Sequence, residues 1–252
     1  MSNQAYLQGI LESQKLSDNQ IQNLRDLRKK IQSQLERLKG NPTFYYAGSY
    51  AKHTMIKASY DLDIVAYWPQ HAKYSLKEIS DSVKDQLQKH WDHVNEKTVA
   101  WELPFEGNFH IDVVPGRALD SNNHYANLYR KDNGQPLKTS IKVHIDTVRN
   151  SDRRDALRLV KLWKVRNNLP FMTFILEQMV IEGCKGATKK ELEPQLNKAF
   201  RYIYEKIGHA RILDPANSNN ILSNEMTTGQ KNAVKTAAKK VLDAKRWSDV
   251  YG

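Results

Sequence analysis

The chain has 252 residues, of which 39 are Lys or Arg and 28 are Asp or Glu, and its formal net charge is +11. This length is enough for one large domain or two closely associated lobes with a substantial core. A single cysteine, Cys184, excludes an internal disulfide framework and favours a reducing compartment. The sequence does not open with a basic segment and an apolar run, and it has no stretch of about 18 apolar residues. We therefore expect a cytoplasmic protein without a signal peptide or membrane span.

The positive charge is unevenly distributed along the chain. Residues 149–252 carry a formal charge of +9, whereas residues 1–148 carry +2. Such basicity is compatible with binding to nucleic acid, to nucleotides or to an anionic membrane surface, and also with a solvated face. We expect the second part of the chain to attract anions.

The first predicted element is a long helix. Ser17 and Gln20 form a capping-box pattern, and apolar residues then recur every three or four positions as far as Leu38. The tripeptide Gly40-Asn41-Pro42 is expected to end this helix. Because the pattern lasts for fewer than three heptads, it favours a helix packed on a core over an intermolecular coiled coil.

The next hundred residues predict mixed structure. Three β-rich runs lie at residues 44–47, 62–68 and 109–114, and the last of them is expected to end at Pro115. Residues 75–94 lie between the second and third runs and carry apolar side chains at helical spacing. The order strand, helix, strand indicates an α/β unit.

After about residue 140 the pattern becomes helical, with predicted helices at residues 154–167, 171–182, 189–207 and 228–246. We predict an α+β fold, in which a mixed-sheet lobe with an N-terminal helix (residues 1–148) packs on a helical lobe (residues 149–252). The lysine-rich last helix is either a solvated amphipathic helix or a surface that binds RNA, DNA or a protein regulator.

Three aspartates carry the strongest chemical signal. Asp61 and Asp63 are two residues apart on a predicted strand, so their side chains leave the same face and repel each other unless a cation lies between them. Asp112 adds a third carboxylate if its strand is a neighbour. Oxygen ligands of this kind suit Mg²⁺ or Mn²⁺, and three carboxylates can hold two such ions for an in-line phosphoryl displacement. All three are candidate catalytic and metal-binding residues.

Gly48-Ser49 is a candidate phosphate-binding segment. Glycine lets the backbone approach a ligand closely, a serine hydroxyl can donate to a phosphate oxygen, and a helix that starts here would present free N–H groups to the same anion. One such dipeptide is uninformative, but the dipeptide followed by Asp61-Leu62-Asp63 and a later Asp112 is a specific pattern.

In this order, these motifs resemble the nucleotidyltransferase superfamily of DNA polymerase β type. Further motifs are similar to those of the bacterial second-messenger synthases related to oligoadenylate synthase and cyclic GMP-AMP synthase, and they lie at residues 139–144, 159–164, 173–177 and 214–220. The resemblance extends from about residue 40 to residue 222. It implies that the long first helix is a spine helix ahead of the catalytic sheet.

The resemblance also implies roles for individual residues. Asp61 and Asp63 would bind both metals together with the triphosphate, and Asp112 would bind the metal that activates the acceptor hydroxyl. Gly48 and Ser49 would cradle the β and γ phosphates.

Two further roles fall in the helical lobe. Lys161 matches the lysine that reaches the triphosphate, and Thr173 takes the place of a serine with a similar role. His53, His110 and His144 lack the spacing of a zinc site, so we expect them to be solvated or hydrogen-bonded.

The first hypothesis for function is a metal-dependent nucleotidyltransferase that makes a cyclic di- or oligonucleotide second messenger from nucleoside triphosphates, with release of pyrophosphate, in bacterial anti-phage defence. Two alternatives stay open: transfer of nucleotides to tRNA or another RNA, and a catalytically quiet sensor of nucleotides or nucleic acid. The expected cofactor is Mg²⁺ or Mn²⁺. The expected partners are the nucleotide substrates, and the candidate partners are an RNA or DNA acceptor or activator and a regulatory protein. We expect no membrane partner.

Overall fold

The computed structural model describes residues 2–107 and 109–252. In chain order its helices and strands are α1 (Asn3–Ser13), α2 (Asp18–Leu35), β1 (Thr43–Tyr46), α3 (Gly48–Lys52), β2 (Leu62–Trp68), α4 (Leu76–Gln88), β3 (Asn95–Glu96), β4 (Trp101–Pro104), β5 (His110–Ala118), β6 (Ala126–Tyr129), β7 (Pro136–Thr139), α5 (Ile141–Asn150), α6 (Arg154–Arg166), α7 (Thr173–Gly183), α8 (Leu192–Lys206), β8 (Leu213–Asp214), β9 (Asn217–Ile221), α9 (Thr228–Asp243) and α10 (Ser248–Tyr251). The predicted α+β class is confirmed. Among these helices none combines the length and the apolar character needed to cross a membrane.

The chain divides into two compact units. The sheet unit comprises Leu16–Lys52 and Tyr60–Asp146, and the helical unit comprises the residues up to Lys15, His53–Ser59 and Thr147–Gly252. Its last segment begins close to the predicted boundary after residue 148, but the helical unit also includes two earlier segments that we expected in the first lobe. For α1 the reason is packing, because its buried leucines belong to the core of the helical unit.

The sheet unit is built on a sheet with the strand order β1-β2-β5-β4-β3. In addition, β6 pairs with the C-terminal part of β5, and β7 pairs with β6. β2 and β5 are parallel, and the other neighbours in this sheet are antiparallel. A parallel pair needs a crossover connection, and α4 lies within the chain segment that joins these two strands. The predicted strand, helix, strand order is thereby confirmed.

β5 is longer than predicted and continues through Pro115 to Ala118. On the side away from β2, its pairing with β4 ends at Val113 and its pairing with β6 begins at Gly116. Proline cannot donate a ladder hydrogen bond, and it is tolerated at this position because the partner strand changes there. The predicted end of the strand at Pro115 is therefore wrong.

Local capping fixes the start of α2. The Gln20 backbone N–H donates to Ser17 Oγ at 3.3 Å, and the Ser17 backbone N–H donates to Gln20 Oε1 at 2.9 Å, which confirms the predicted capping box. The helix ends at Leu35, earlier than the apolar pattern suggested.

The helical unit has a continuous apolar core to which α1, α6, α7, α8 and α9 contribute. Trp163 and Phe200 meet in this core with ring centroids 5.0 Å apart. The four predicted helices are confirmed as α6 to α9, with shifts of a few residues at their ends. Cys184 is buried and its Sγ donates to the backbone oxygen of Gln195.

Candidate active site

Asp63 and Asp112 are direct neighbours on the two parallel strands. The register of β2 and β5 pairs Leu62 with Ile111 and Asp63 with Asp112. Residues paired in this way point to the same face of a sheet, and the flanking residues Leu62 and Ile111 are fully buried on the other face. The strand adjacency that the sequence could only assume is present.

His110 lies between the carboxylates of Asp61 and Asp112. Its Nδ1 lies 3.0 Å from Asp61 Oδ1, and its Nε2 lies 3.9 Å from Asp112 Oδ2. The hydrogen bond to Asp61 raises the pKa of His110, which favours the imidazolium form. The expectation that this histidine is hydrogen-bonded is confirmed, but its position among the aspartates was not foreseen.

The carboxylates are close enough to perturb one another. Burial of the Asp63 carboxylate raises its pKa to about 6, and the negative charges of Asp112 and Asp61 add to this effect while Lys52 and His110 oppose it. A divalent cation would relieve this repulsion, and carboxylate oxygens are the ligands that Mg²⁺ and Mn²⁺ prefer. The three aspartates fit such a cation both in charge and in donor chemistry.

The Gly48-Ser49 segment lies directly against Asp63. Gly48 has a φ of +52°, and a Cβ atom at this position would lie 1.7 Å from Asp63 Oδ2. The backbone N–H of Ala47 also donates to the Asp63 backbone oxygen at 3.0 Å. The two parts of the sequence motif are therefore brought together, with the partly exposed Ser49 in the first turn of α3.

Two charged residues of this cluster were not predicted from the sequence. Glu102 on β4 is in register with Asp112, and Lys97 Nζ lies 2.9 Å from both Asp112 oxygens and 2.6 Å from Glu102 Oε2. Glu102, His110 and Asp112 each offer a ligand atom within 4.8 Å of the others. We did not predict β4, and cross-strand pairing between residues ten positions apart leaves no signal in a single sequence.

A cavity of about 670 Å³ in the sheet unit opens beside the carboxylates. Asp63, Asp112 and Val114 line one part of it, and residues 96–100 together with Lys131 and Asp132 line the rest. Its volume is in the range of sites for small molecules and cofactors, which is typically about 300–1,000 Å³. The cavity is therefore large enough for a nucleotide-sized ligand beside Asp63 and Asp112.

The helical unit carries the other two predicted nucleotide-binding residues. Lys161 is only 6% exposed, and its Nζ donates to Thr54 Oγ1 at 2.9 Å and lies 3.1 Å from an oxygen of the buried Glu177. Thr173 Oγ1 accepts a hydrogen bond at 3.0 Å from Lys164, which lies one helical turn after Lys161. Lys164 was not singled out from the sequence, and the contact with Thr173 makes it a second candidate besides Lys161.

Comparison with known proteins identifies the family. A model of the Second Messenger Oligonucleotide or Dinucleotide Synthetase domain matches residues 1–152, which is more than half of the chain. A curated relative, the cyclic AMP-AMP-AMP synthase of Escherichia coli (strain MS 115-1), is 25% identical over 265 residues, which cover 87% of this chain and 83% of the relative.

Solved structures agree with this assignment at the level of the fold. E. coli MS115-1 CdnC with ATP superposes with a TM-score of 0.77 and 21% identity, covering 96% of this chain and 91% of that chain. The same protein in complex with HORMA-deltaN gives a TM-score of 0.75 at 22% identity, with coverages of 96% and 90%. The CD-NTase CdnG of Bradyrhizobium diazoefficiens with GTP gives 0.78 at 13% identity, with coverages of 95% and 90%. The chain therefore belongs to the family of second messenger oligonucleotide or dinucleotide synthetases, and this membership makes it a nucleotidyltransferase.

Proposed function

We propose that this chain joins ribonucleoside triphosphates into a cyclic di- or oligonucleotide and releases pyrophosphate. The observation that carries the proposal is the register of Asp63 and Asp112, because it sets two carboxylates side by side, and one of them, Asp63, lies against Gly48. The adjoining cavity has room for a nucleotide. Membership of the synthetase family supports the same chemistry.

The three aspartates would hold two divalent cations, Mg²⁺ or Mn²⁺. When bound, such ions make a hydroxyl more acidic and neutralise the charge that develops on the transferring phosphoryl group. The Asp112 carboxylate would orient the acceptor hydroxyl and help to remove its proton. Gly48 and Ser49 would donate hydrogen bonds to the β and γ phosphates and so hold the leaving pyrophosphate.

The lysine that contacts the triphosphate is open to a direct test. The contact proposed for Lys161 on the basis of the family resemblance stays a prediction. Its buried ion pair with Glu177 supports a role in the fold, whereas the contact of Lys164 with Thr173 supports Lys164 as the residue that meets the phosphates.

Incubation of the protein with all four labelled nucleoside triphosphates and Mg²⁺ or Mn²⁺, followed by mass spectrometry, tests the proposed function. We expect a phosphatase-resistant product with the mass of a cyclic nucleotide, together with pyrophosphate. Asp63→Asn should lower product formation about 1,000-fold. Asp132→Asn is the matched control and should retain it, because this carboxylate lines the same cavity but pairs with Arg130.

Other outcomes would contradict the proposal. Label transferred to added tRNA, with no small cyclic product, would favour the RNA nucleotidyltransferase alternative. Tight binding of nucleoside triphosphates without release of pyrophosphate would favour a sensor. Repeating the reaction with duplex DNA or RNA separates an activator from an acceptor, since an activator is not labelled.

We further propose that the protein works in the bacterial cytoplasm, in defence against phage, together with a regulatory protein. A free, buried thiol at Cys184 is compatible with a reducing compartment. The complex of CdnC with HORMA-deltaN supports a protein regulator. Plaque counts on cells that express the wild type or Asp63→Asn with the neighbouring genes test the role in defence, and equal counts would refute it.

A further inference from the structure

The ammonium group of Lys97 lies between two carboxylates of the proposed metal site. Its Nζ is 2.9 Å from both oxygens of Asp112 and 2.6 Å from Glu102 Oε2. All three side chains are partly buried. One ammonium thus takes up a lone pair on each oxygen of Asp112 and also keeps a second acceptor, Glu102, within reach.

The backbone around Lys97 is held in place by other contacts. The Lys97 N–H donates to the Ala100 backbone oxygen at 3.0 Å, which closes the turn between β3 and β4. Lys131 Nζ donates to the backbone oxygens of Lys97 and Ala100 at 2.6 and 2.8 Å, and it lies 4.3 Å from the centroid of the Trp101 ring. The Trp101 indole N–H in turn donates to the Ser80 backbone oxygen at 2.9 Å. The position from which the Lys97 side chain extends is therefore fixed.

Glu102 is also fixed as an acceptor. Its register with Asp112 puts the two carboxylates on the same face of neighbouring strands, and Asn95 Nδ2 donates to Glu102 Oε1 at 3.0 Å. This leaves Oε2 to Lys97. The ammonium can therefore give up Asp112 and keep its contact with Glu102 without a movement of the backbone.

An ammonium group and a divalent cation both bind to carboxylate oxygens, here the oxygens of Asp112. Both are positive, so a cation on Asp112 is opposed by Lys97 Nζ for as long as that group holds the same oxygens. Hydrogen bonds to an ionised group are also among the stronger ones in proteins. Displacement of the ammonium thus has a cost that lowers the affinity of the site for metal.

We propose that Lys97 is a positioning residue that aligns Asp112 and competes with the divalent cation for it, with Glu102 as the carboxylate that retains the ammonium when the cation binds. The inference rests on the proposed function, since it assigns a regulating residue to the same site. Lys97 thereby sets the metal concentration at which the enzyme becomes active.

The direct test is titration of the full-length protein with Mn²⁺ in the absence of nucleotide. Electron paramagnetic resonance measures the concentration of the free ion at each step. Lys97→Met should bind Mn²⁺ about tenfold more tightly than the wild type, which corresponds to about 1.4 kcal/mol. Lys97→Arg keeps the charge and should bind close to the wild type. Lys77→Met is the matched control, because Lys77 forms an exposed ion pair with Asp81, and it should leave the affinity unchanged.

A double-mutant cycle separates the role of Glu102 from that of a metal ligand. Glu102→Gln alone should weaken Mn²⁺ binding several-fold, because Lys97 is then held by Asp112 only. In the Lys97→Met background the same change should have little effect, and a large further loss there would show that Glu102 binds the metal itself. Unfolding curves of each variant check that the fold is intact.

Kinetics give an independent readout. Lys97→Met should lower the metal concentration for half-maximal activity and also lower kcat, since Asp112 is less well aligned. Mn²⁺ affinity that is unchanged or weaker in Lys97→Met would overturn the inference. If the wild type makes no product, the proposed function fails, whereas the Mn²⁺ titration still decides the competition between Lys97 and the cation.

Discussion

Gly48 faces the carboxylate of Asp63 so closely that a Cβ atom on Gly48 would lie 1.7 Å from Asp63 Oδ2. No side chain other than hydrogen fits between the turn that begins α3 and the start of β2. The glycine therefore contributes to the position of Asp63 itself, in addition to the phosphate contact expected from the sequence.

Gly48→Ala should reduce nucleotide transfer at least about 100-fold and lower the free energy of unfolding by about 1–3 kcal/mol, because a displaced Asp63 cannot keep its geometry. Gly134→Ala is the matched control, since its φ is +71° but the nearest atom to a Cβ there is 3.8 Å away. Gly134→Ala should retain activity, and its free energy of unfolding should fall only by what a positive φ costs an alanine. Product formation and chemical denaturation measure the two effects, and equal losses of activity would contradict the steric argument.

Asp63→Asn and Asp112→Asn should each lower the rate of nucleotide transfer about 1,000-fold, because both carboxylates are proposed metal ligands. Asp63→Asn should not lower the melting temperature of the metal-free protein, since it removes a buried charge that Asp112 and Asp61 repel, whereas Asp112→Asn also loses the ion pair with Lys97. Mg²⁺ should raise the melting temperature of the wild type more than that of the variants. Thermal unfolding with and without Mg²⁺ tests this, and an equal rise in all three proteins would exclude a metal site here.

Lys161→Met should mainly reduce stability, whereas Lys164→Met should mainly affect the binding of nucleoside triphosphates. The first removes the cation that pairs with the buried Glu177 and should cost about 3–5 kcal/mol of stability, whereas the second should leave stability nearly unchanged. If Lys164 meets the triphosphate, Lys164→Met should raise KM for nucleoside triphosphates about tenfold or more. A normal KM in Lys164→Met would favour Lys161 as the lysine that contacts the triphosphate.

Lys131 should make the stability of the protein depend on alkaline pH. Burial of its amine lowers the pKa to about 8, below the value in the unfolded chain, so protonation of Lys131 opposes folding. This penalty is complete below about pH 8 and disappears as the pH rises from about 8 to about 10.5. Compared with Lys131→Met, the wild type should therefore gain stability over that interval, by no more than about 1 kcal/mol because the amine is half exposed. Denaturation curves of the two proteins at pH 7.5 and pH 10 give the change in the free energy of unfolding between these pH values. If this change is the same in both proteins, the prediction is wrong.

Leu7→Ala should destabilise the helical unit by about 2–5 kcal/mol, because the side chain is fully buried in the core of that unit. Gln8→Ala, at the next and exposed position of α1, is the control and should change stability by less than about 0.5 kcal/mol. Chemical denaturation followed by far-UV circular dichroism measures the loss of the helices that form this core. A small effect of Leu7→Ala would mean that α1 is dispensable to it.

Features that depend on near neighbours in the chain could be predicted from the sequence. The capping box of Ser17 and Gln20 needs only residues three apart, and the helices α6 to α9 follow from apolar spacing within each segment. The pattern of Gly48, Asp61, Asp63 and Asp112 likewise indicates phosphate and metal chemistry from residue types and spacing alone.

Features that depend on pairing between distant segments could not be predicted. The sequence placed Asp112 on a strand, but only the sheet decides that this strand lies parallel to β2 with Asp63 as its partner. Lys97 and Glu102 reach Asp112 because β4 pairs with β5 in one particular register, and a shift by one residue would turn Glu102 to the other face. Lys161 and Lys164 are equivalent in spacing, and packing of α6 in the helical core buries one and leaves the other beside Thr173. The sequence by itself determined which chemical groups this protein has, and the tertiary structure decided which of them meet, because contacts across a sheet or within a core are set by the whole fold.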